Sequence, residues 1–313
     1  MARRALGPAA LNVRRAVSAV IADPEFDGGF VVGCSGGADS SALALGAQVA
    51  ASMRGVPVSA VIVDHGLQEG SSDVAQAVRS RLVERGLDAR VARVEVAVGG
   101  AGLEAAARDA RLAALAEPGL PVLLGHTLDD QAEQVLLGLA RGSGTRSLAG
   151  IPPRRGRFYR PLLGLRRSMT EQACAEWGID VWTDPHNSDV SLTRARVRAR
   201  VLPLLEAELG PGLAEALART ADLARADADA LDALAPPAGD APSTLWLAGL
   251  DPALRGRVLK SWLVDQGATD ITAGHVAAVD RLVTAWRGQR GVDVPGGRVR
   301  RQDGRLRWHP THR

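Results

Sequence analysis

Lysine is all but missing from this chain. Of 38 lysine and arginine residues, only Lys260 is a lysine. No glycine-rich loop elsewhere in the sequence can therefore carry the lysine that closes the common phosphate loop G-x-x-x-x-G-K-[ST]. Cysteine is nearly as scarce. The two present, Cys34 and Cys174, form no C-x-x-C pair, which argues against a disulfide framework, a zinc site or a cysteine-ligated cluster. No apolar run reaches the length of a membrane span. The first 23 residues contain Arg3, Arg4, Arg14 and Arg15, but their apolar stretches are too short for a signal peptide. A cytoplasmic protein without membrane association is the expectation.

What is present fits a soluble globular chain. The 313 residues leave room for one large domain and a smaller one, and 46% hydrophobic with 23% charged residues is ordinary. The net charge of +3 is unevenly spread. Residues 206–240 hold 2 basic and 8 acidic side chains, whereas residues 241–313 hold 12 basic and 6 acidic. Three regions are expected: a catalytic domain over 1–205, an acidic helical connector with a Pro/Gly linker over 206–240, and a small basic domain over 241–313. The basic tail fits a polyanionic partner, although a general arginine bias would give the same excess.

The most informative stretch is Val31-Val32-Gly33-Cys34-Ser35-Gly36-Gly37-Ala38-Asp39-Ser40. It reads as a strand, a tight turn and a helix start. Glycines let the backbone turn and approach a ligand, and the first N–H groups of a helix attract anions. Ser35, Ser40 and Ser41 add hydroxyls. The expectation is a phosphate cradle. Asp39 lies inside the turn, and a carboxylate beside phosphates needs a cation between them, which implies Mg²⁺ held at Asp39.

Along the chain, strands alternate with helices. Helices are expected at 9–22, 41–51, 73–85, 103–116 and 129–140, and strands at 30–33, 56–63, 90–98 and 122–124. That order gives an α/β fold, a doubly wound parallel sheet. Ligands then sit at the carboxyl ends of the strands. Two further segments end strands there. Asp64-His65-Gly66 follows the second strand, and could equally be a plain turn. Gly125-His126-Thr127-Leu128-Asp129-Asp130-Gln131-Ala132-Glu133 joins the fourth strand to a helix. Its acids suit the first helical turn, and Asp130 and Glu133 share a face that can hold an ammonium group or Mg²⁺. Glu104, Arg108 and Arg111 also share a helical face, either as a surface ion pair or as a phosphate contact.

Further on, six arginines fall between Arg154 and Arg167, and Ser168–Glu171 reads as a capping box. Arg194, Arg196, Arg198 and Arg200 stand two apart and pair on a helix as 194/198 and 196/200, a cluster suited to nucleic-acid phosphates. A long helix is expected over 213–234. Two helices (252–265 and 273–286) and a hairpin turning at Asp303-Gly304 complete a small α+β domain.

Ser35-Gly36-Gly37-Ala38-Asp39-Ser40 resembles the pyrophosphate-binding loop of the ATP-pyrophosphatase (PP-loop) superfamily, whose members split ATP into AMP and pyrophosphate to adenylate a substrate. Within it, Val63–Leu67, Glu104–Arg108, His126–Glu133, Arg141–Gly144, Arg160–Leu163 and the domain order resemble the tRNA(Ile)-lysidine synthetases. The resemblance covers nearly the whole chain and is strongest over residues 31–151. It departs at Leu112, where the family has Tyr, at His186, where it has Ser, and at Ala195, where it has Asn.

The resemblance implies a two-step ligation. ATP adenylates carbon 2 of the wobble cytidine of a CAU-anticodon isoleucine tRNA, and free L-lysine then displaces AMP. Ser35, Gly36, Gly37, Ala38, Asp39, Ser40, Asp64, His65 and Arg108 would bind ATP, with Arg108 stabilising phosphate charge. Asp39, Asp130 and Glu133 would hold lysine, and with Arg108 form the catalytic set. Arg194, Arg196, Arg198 and Arg200 would contact tRNA. The alternatives are a 2-thiolating member of the superfamily, which needs a cysteine pair, and a non-catalytic nucleotide- or RNA-binding module.

Overall fold

The computed structural model describes residues 6–66, 70–95, 103–142, 144–182 and 189–311. It forms two units. The first runs to Leu137 and resumes over Gly150–Arg219; the second combines Gly138–Ala149 with the chain from Thr220 onward. No helix among the described residues is long and apolar enough to cross a membrane.

In the first unit, α1 (Pro8–Ile21) precedes β1 (Phe30–Gly33), α2 (Ala38–Arg54), β2 (Val58–Asp64), α3 (Ser71–Glu84), β3 (Asp88–Arg93), α4 (Leu103–Ala116), β4 (Val122–Leu123) and α5 (Leu128–Ala140). After α6 (Thr145–Leu148), which belongs to the second unit, come β5 (Arg154–Arg155), β6 (Phe158–Tyr159), α7 (Arg167–Trp177), α8 (Thr193–Arg196) and α9 (Leu202–Leu209). The sheet order is β3-β2-β1-β4-β6-β5. All neighbours are parallel except β5 with β6.

Alternation along the strands builds the two faces. Val32, Ala60, Ile62 and Leu123 point into a core shared with α1, α2, α3 and α7. Val31, Val61, Val122 and Leu124 pack with Leu115 and Leu112 of α4 on the other side. Strands apolar on both sides are what a doubly wound sheet requires. The chain order reverses between β1 and β4, so the ligand crevice of such a sheet lies at their carboxyl ends.

Three local expectations are corrected. The third strand begins at Asp88 and stops at Arg93, because its ladder with β2 runs only from Ser59↔Asp88 to Asp64↔Arg93; residues 96–98 of the expected strand lie outside the described residues. Ser168–Glu171 caps nothing: α7 starts at Arg167, Arg166 offers no side-chain cap, and the distant Asp129 carboxylate accepts the Arg167 N–H at 2.7 Å. The sequence reading gave no strands at β5 and β6, two-residue segments too short to show a period.

In the second unit, α10 (Leu213–Leu234), which begins in the first, leads to α11 (Thr244–Ala248), α12 (Pro252–Asp265) and α13 (Ala273–Thr284). The antiparallel sheet β7 (Val292–Val294), β8 (Gly297–Gln302) and β9 (Arg305–Pro310) follows. Its core holds Leu259, Trp262, Leu263, Val279, Val299 and Leu306. Asp303 and Gly304 both take positive φ, 50° and 71°, as a two-residue hairpin turn with the right twist demands.

Candidate active site

The Ser35–Ser40 loop is held in shape by its own side chains. Ser40 Oγ accepts the Ser35 N–H at 3.1 Å, lies 3.2 Å from Ser35 Oγ and donates to the Gly37 carbonyl at 3.1 Å. Gly36 has φ +88°, and a Cβ there would stand 2.3 Å from Val78 Cγ2, so only glycine fits. No side chain caps α2 at Gly37. Its first N–H groups stay available to an anion.

A cluster of carboxylates lies beside the loop. β1 and β4 are neighbours, with Val32 opposite Leu123, so α2 and α5 start side by side. A Cβ on Gly125 would lie 3.0 Å from the Asp39 carbonyl oxygen. This close approach brings Asp39 on α2 to Asp130 and Glu133 on α5. Arg167, the first residue of α7, reaches all three. Its Nε donates to Asp39 at 3.1 Å, Nη2 to Asp130 at 2.9 Å and Nη1 to Glu133 at 3.4 Å. Arg198 donates to Glu133 at 2.7 and 3.1 Å and to Asp130 at 3.2 Å. Arg194 Nε stands 3.4 Å from Glu133. The Glu133 side chain is fully buried, which a carboxylate tolerates only when paired. A cleft of about 130 Å³ opens beside it, lined in part by Asp129, Arg166, Arg167, Arg198 and Leu202.

The three carboxylates are not equivalent. Burial pushes the Asp39 carboxyl above its ordinary range, although Arg167 and the Thr170 hydroxyl, which donates to its Oδ1, pull the other way. Burial acts on Asp130 too, but Arg167 and the Thr127 N–H, 2.8 Å from Oδ2, together hold it below the usual range. That N–H bond is half of a capping box for α5. Burial disfavours the Arg167 charge, yet Asp130, Asp39 and Glu133 raise its pKa above the ordinary value.

The opposite wall is cationic. His126, at the end of β4, is pushed down to about 4 by burial; Asp130 opposes this, and Arg160, Arg111 and Arg194 add to it. His65 is lowered by burial and by Arg111. Arg111 of α4 and Arg160, which follows β6, thus act on the histidines at the strand ends, and Arg108 acts on both of these arginines. Asp64 takes a local role, accepting Gly66 N–H at 3.0 Å and Ser71 Oγ–H at 2.7 Å. It is buried rather than solvated. The Glu104 side chain lies outside the described residues.

The other expected site residues divide. Arg194 and Arg198 turn inward to Glu133, as their shared helical face allows. Arg196 bonds the carbonyls of Val190 and Ser191, and Arg200 is exposed. In the Gly-rich segment, Arg146 pairs with Asp229 at 2.6 Å and with Asp232. Arg167, Thr170 and Arg160 were missed by sequence reasoning as site residues. The two arginines had a signal in the density of arginine from 154 to 167, and Arg160 also in the Arg160–Leu163 motif; Thr170 had none.

This assembly, an uncapped helix after a Ser-Gly-Gly turn with carboxylates on the next strand's helix, defines a PP-loop nucleotide-binding domain. Residues 10–205 match the PP-loop domain family. Residues 246–307 match the TilS substrate binding domain. The chain is similar to the tRNA(Ile)-lysidine synthase of Mycolicibacterium paratuberculosis, with 55% identity over 289 residues and 88% of each chain covered. It is 49% identical to that of Cutibacterium acnes, with 98% of each covered. The chain belongs to the tRNA(Ile)-lysidine synthase family. Among solved structures it is similar to the U34-tRNA thiolase NcsA from Methanococcus maripaludis with its [4Fe-4S] cluster, at TM-score 0.55 and 17% identity, covering 69% of this chain and 79% of that one. At that identity the likeness is one of fold alone.

Proposed function

We propose that this chain ligates free L-lysine to carbon 2 of the wobble cytidine in a CAU-anticodon isoleucine tRNA, using ATP and releasing AMP and pyrophosphate. Membership of the family supports an ATP-dependent ligase that forms lysidine on tRNA(Ile). The observation that carries the residue roles is the trio Asp39, Asp130 and Glu133, gathered around guanidinium groups beside a phosphate loop. A site that already holds a cation suits the ammonium of lysine, which would share or take over contacts now made by Arg167 and Arg198. The uncapped start of α2, Ser35 to Ser40, takes the pyrophosphate end of ATP, with Asp64 and His65 on the wall beside it. Arg108 offsets phosphate charge as the adenylate forms and leaves.

Asp39 is the loop's one carboxylate toward Mg²⁺. Among the described residues no group of three acidic, histidine or cysteine side chains could hold a metal unaided, which fits an ion carried mainly by ATP phosphates. Such an ion supplies charge neutralisation at the phosphates.

For tRNA, the outer face of β8 and β9 supports contact. Register places Arg298 opposite His309, Arg300 opposite Arg307 and Gln302 opposite Arg305. Like charges facing each other are unfavourable without an anionic partner. The Arg194–Arg200 segment stands as a second contact through Arg196 and Arg200. A thiolating activity is disfavoured by the cysteines: both are buried, Cys34 is raised by burial and Cys174 is pushed up to about 12. A cytoplasmic location fits this reading.

The test combines protein, ATP, Mg²⁺, labelled lysine and unmodified CAU-anticodon isoleucine tRNA, with methionine tRNA as control. Label confined to the isoleucine tRNA, with pyrophosphate released, is expected. Pyrophosphate release without label in RNA would overturn the ligation reading.

A further inference from the structure

Among the described residues Arg160 is a buried cation without a counter-ion. Its residue exposure is 7%. Nη1 donates to the Pro152 carbonyl at 2.9 Å, and Nε has no partner among the described residues. No carboxylate among the described residues pairs with it. The side chains that influence its charge most are Arg108 and Arg155, both of its own sign, and burial lowers its pKa to about 10. An unpaired charge in this setting is costly. Native structures retain such a group when a partner is missing or when it serves a ligand. His126, beyond the neighbouring strand end, also carries a buried ring nitrogen, Nδ1, without a partner among the described residues. Arg160 acts on His126 electrostatically as well. The topology explains the meeting. β6 lies parallel to β4, with Leu123 opposite Tyr159, so the residue after each strand leaves the sheet at the same end. Arg108 of α4 is near enough to act on the Arg160 charge.

We propose that Arg160, together with Arg108 and His126, forms a phosphate-binding site at the carboxyl ends of β4 and β6. The ligand is a phosphoryl group, either of the nucleotide or of the RNA strand. The hydrogen bond to Pro152 positions the guanidinium but neutralises none of its charge. A phosphate would do so, and would bring the charge-assisted bonds that the buried nitrogens lack. The site rests on the ligase reading only for the source of the phosphate; the anion preference follows from charge and burial.

The experiment compares wild type with Arg160→Met and Arg160→Lys. Binding of pyrophosphate, of ATP with Mg²⁺, and of a short RNA stem-loop with a CAU loop is titrated at several salt concentrations, without lysine. In Arg160→Met one of these affinities is expected to fall about tenfold, the loss of one charged hydrogen bond. If the source is RNA, the salt slope also drops by about one. Loss of ATP and pyrophosphate binding with RNA binding intact assigns the nucleotide instead. Unchanged affinities and slopes in a folded Arg160→Met overturn the proposal. Should that variant not fold, the Arg160 Nε–H resonance of wild type, assigned by its loss in Arg160→Lys, is followed. A shift on saturation with one of the three probes supports the site, and no shift with any of them overturns it. Failure of lysine transfer would refute the ligase reading and leave these titrations untouched.

Discussion

Replacing Glu133 by glutamine isolates the role of the buried trio. The substitution keeps the shape and removes one charge. Glu133 accepts from Arg198 at 2.7 and 3.1 Å and from Arg167 at 3.4 Å, and stands 3.4 Å from Arg194. A hydrogen bond to a charged group contributes about 1.5–3 kcal/mol. If lysine's ammonium relies on one such bond here, its KM should rise about 10- to 150-fold. Asp130 and Asp39 still hold Arg167 in the variant. The stability loss should therefore stay near ~2 kcal/mol, roughly 4–8 °C in Tm for a domain of this size. The assay is steady-state lysine transfer, set beside single-turnover adenylation of tRNA in the absence of lysine. Adenylation should be within about twofold of wild type, since on the proposed reading the phosphates bind at Ser35–Ser40 and Arg108 rather than at Glu133. An unchanged lysine KM, or equal damage to both steps, would refute the reasoning.

Gly36→Ala forces a side chain onto φ +88° and a Cβ to within 2.3 Å of Val78 Cγ2; a loss of about 2 kcal/mol or more is expected in urea denaturation, together with loss of ATP binding. Ser40→Ala removes the hydroxyl that ties Ser35 to Gly37; ATP affinity measured by calorimetry should fall about tenfold with about 1 kcal/mol lost in stability. His126 sits at about 4 against an ordinary 6.5. Its folded value is depressed, so its contribution is present above pH 6.5 and lost as pH falls through about 4, roughly 3–4 kcal/mol in all. In denaturation series between pH 7 and pH 4.5, His126→Gln should lack that part of the acid sensitivity, and identical pH dependence in both proteins would count against it.

Local signals carried a large share of the fold. The apolar run before Ser35, the glycines at 36 and 37 and the 3.6-residue periodicity of 103–116 and 213–234 each depend on neighbours within one or two turns. β1, α4 and α10 accordingly stand where their patterns put them. The Ser35–Ser40 turn and the helix start after it were legible for the same reason, since they lie within a few residues. Asp130 and Glu133 were legible as a pair because one helical turn puts them on one face.

The partners of those groups were not legible. Asp39 and Arg167 are far apart in sequence, as are Asp129 and the N–H it caps at the start of α7. No local period encodes either meeting. The density of arginine from 154 to 167 could not say that Arg154 would pair with Glu25, that Arg167 would bridge three carboxylates, or that Arg160 would be buried without an ion pair among the described residues. The sequence by itself determined most of the strands and helices and the Ser-Gly-Gly turn before α2, because backbone conformation and periodicity are properties of adjacent residues. Only the tertiary structure decided which charges meet, because the sheet order β3-β2-β1-β4-β6-β5 sets which strand ends lie side by side. Electrostatic pairing acts over a few ångströms of space, whatever the distance along the chain.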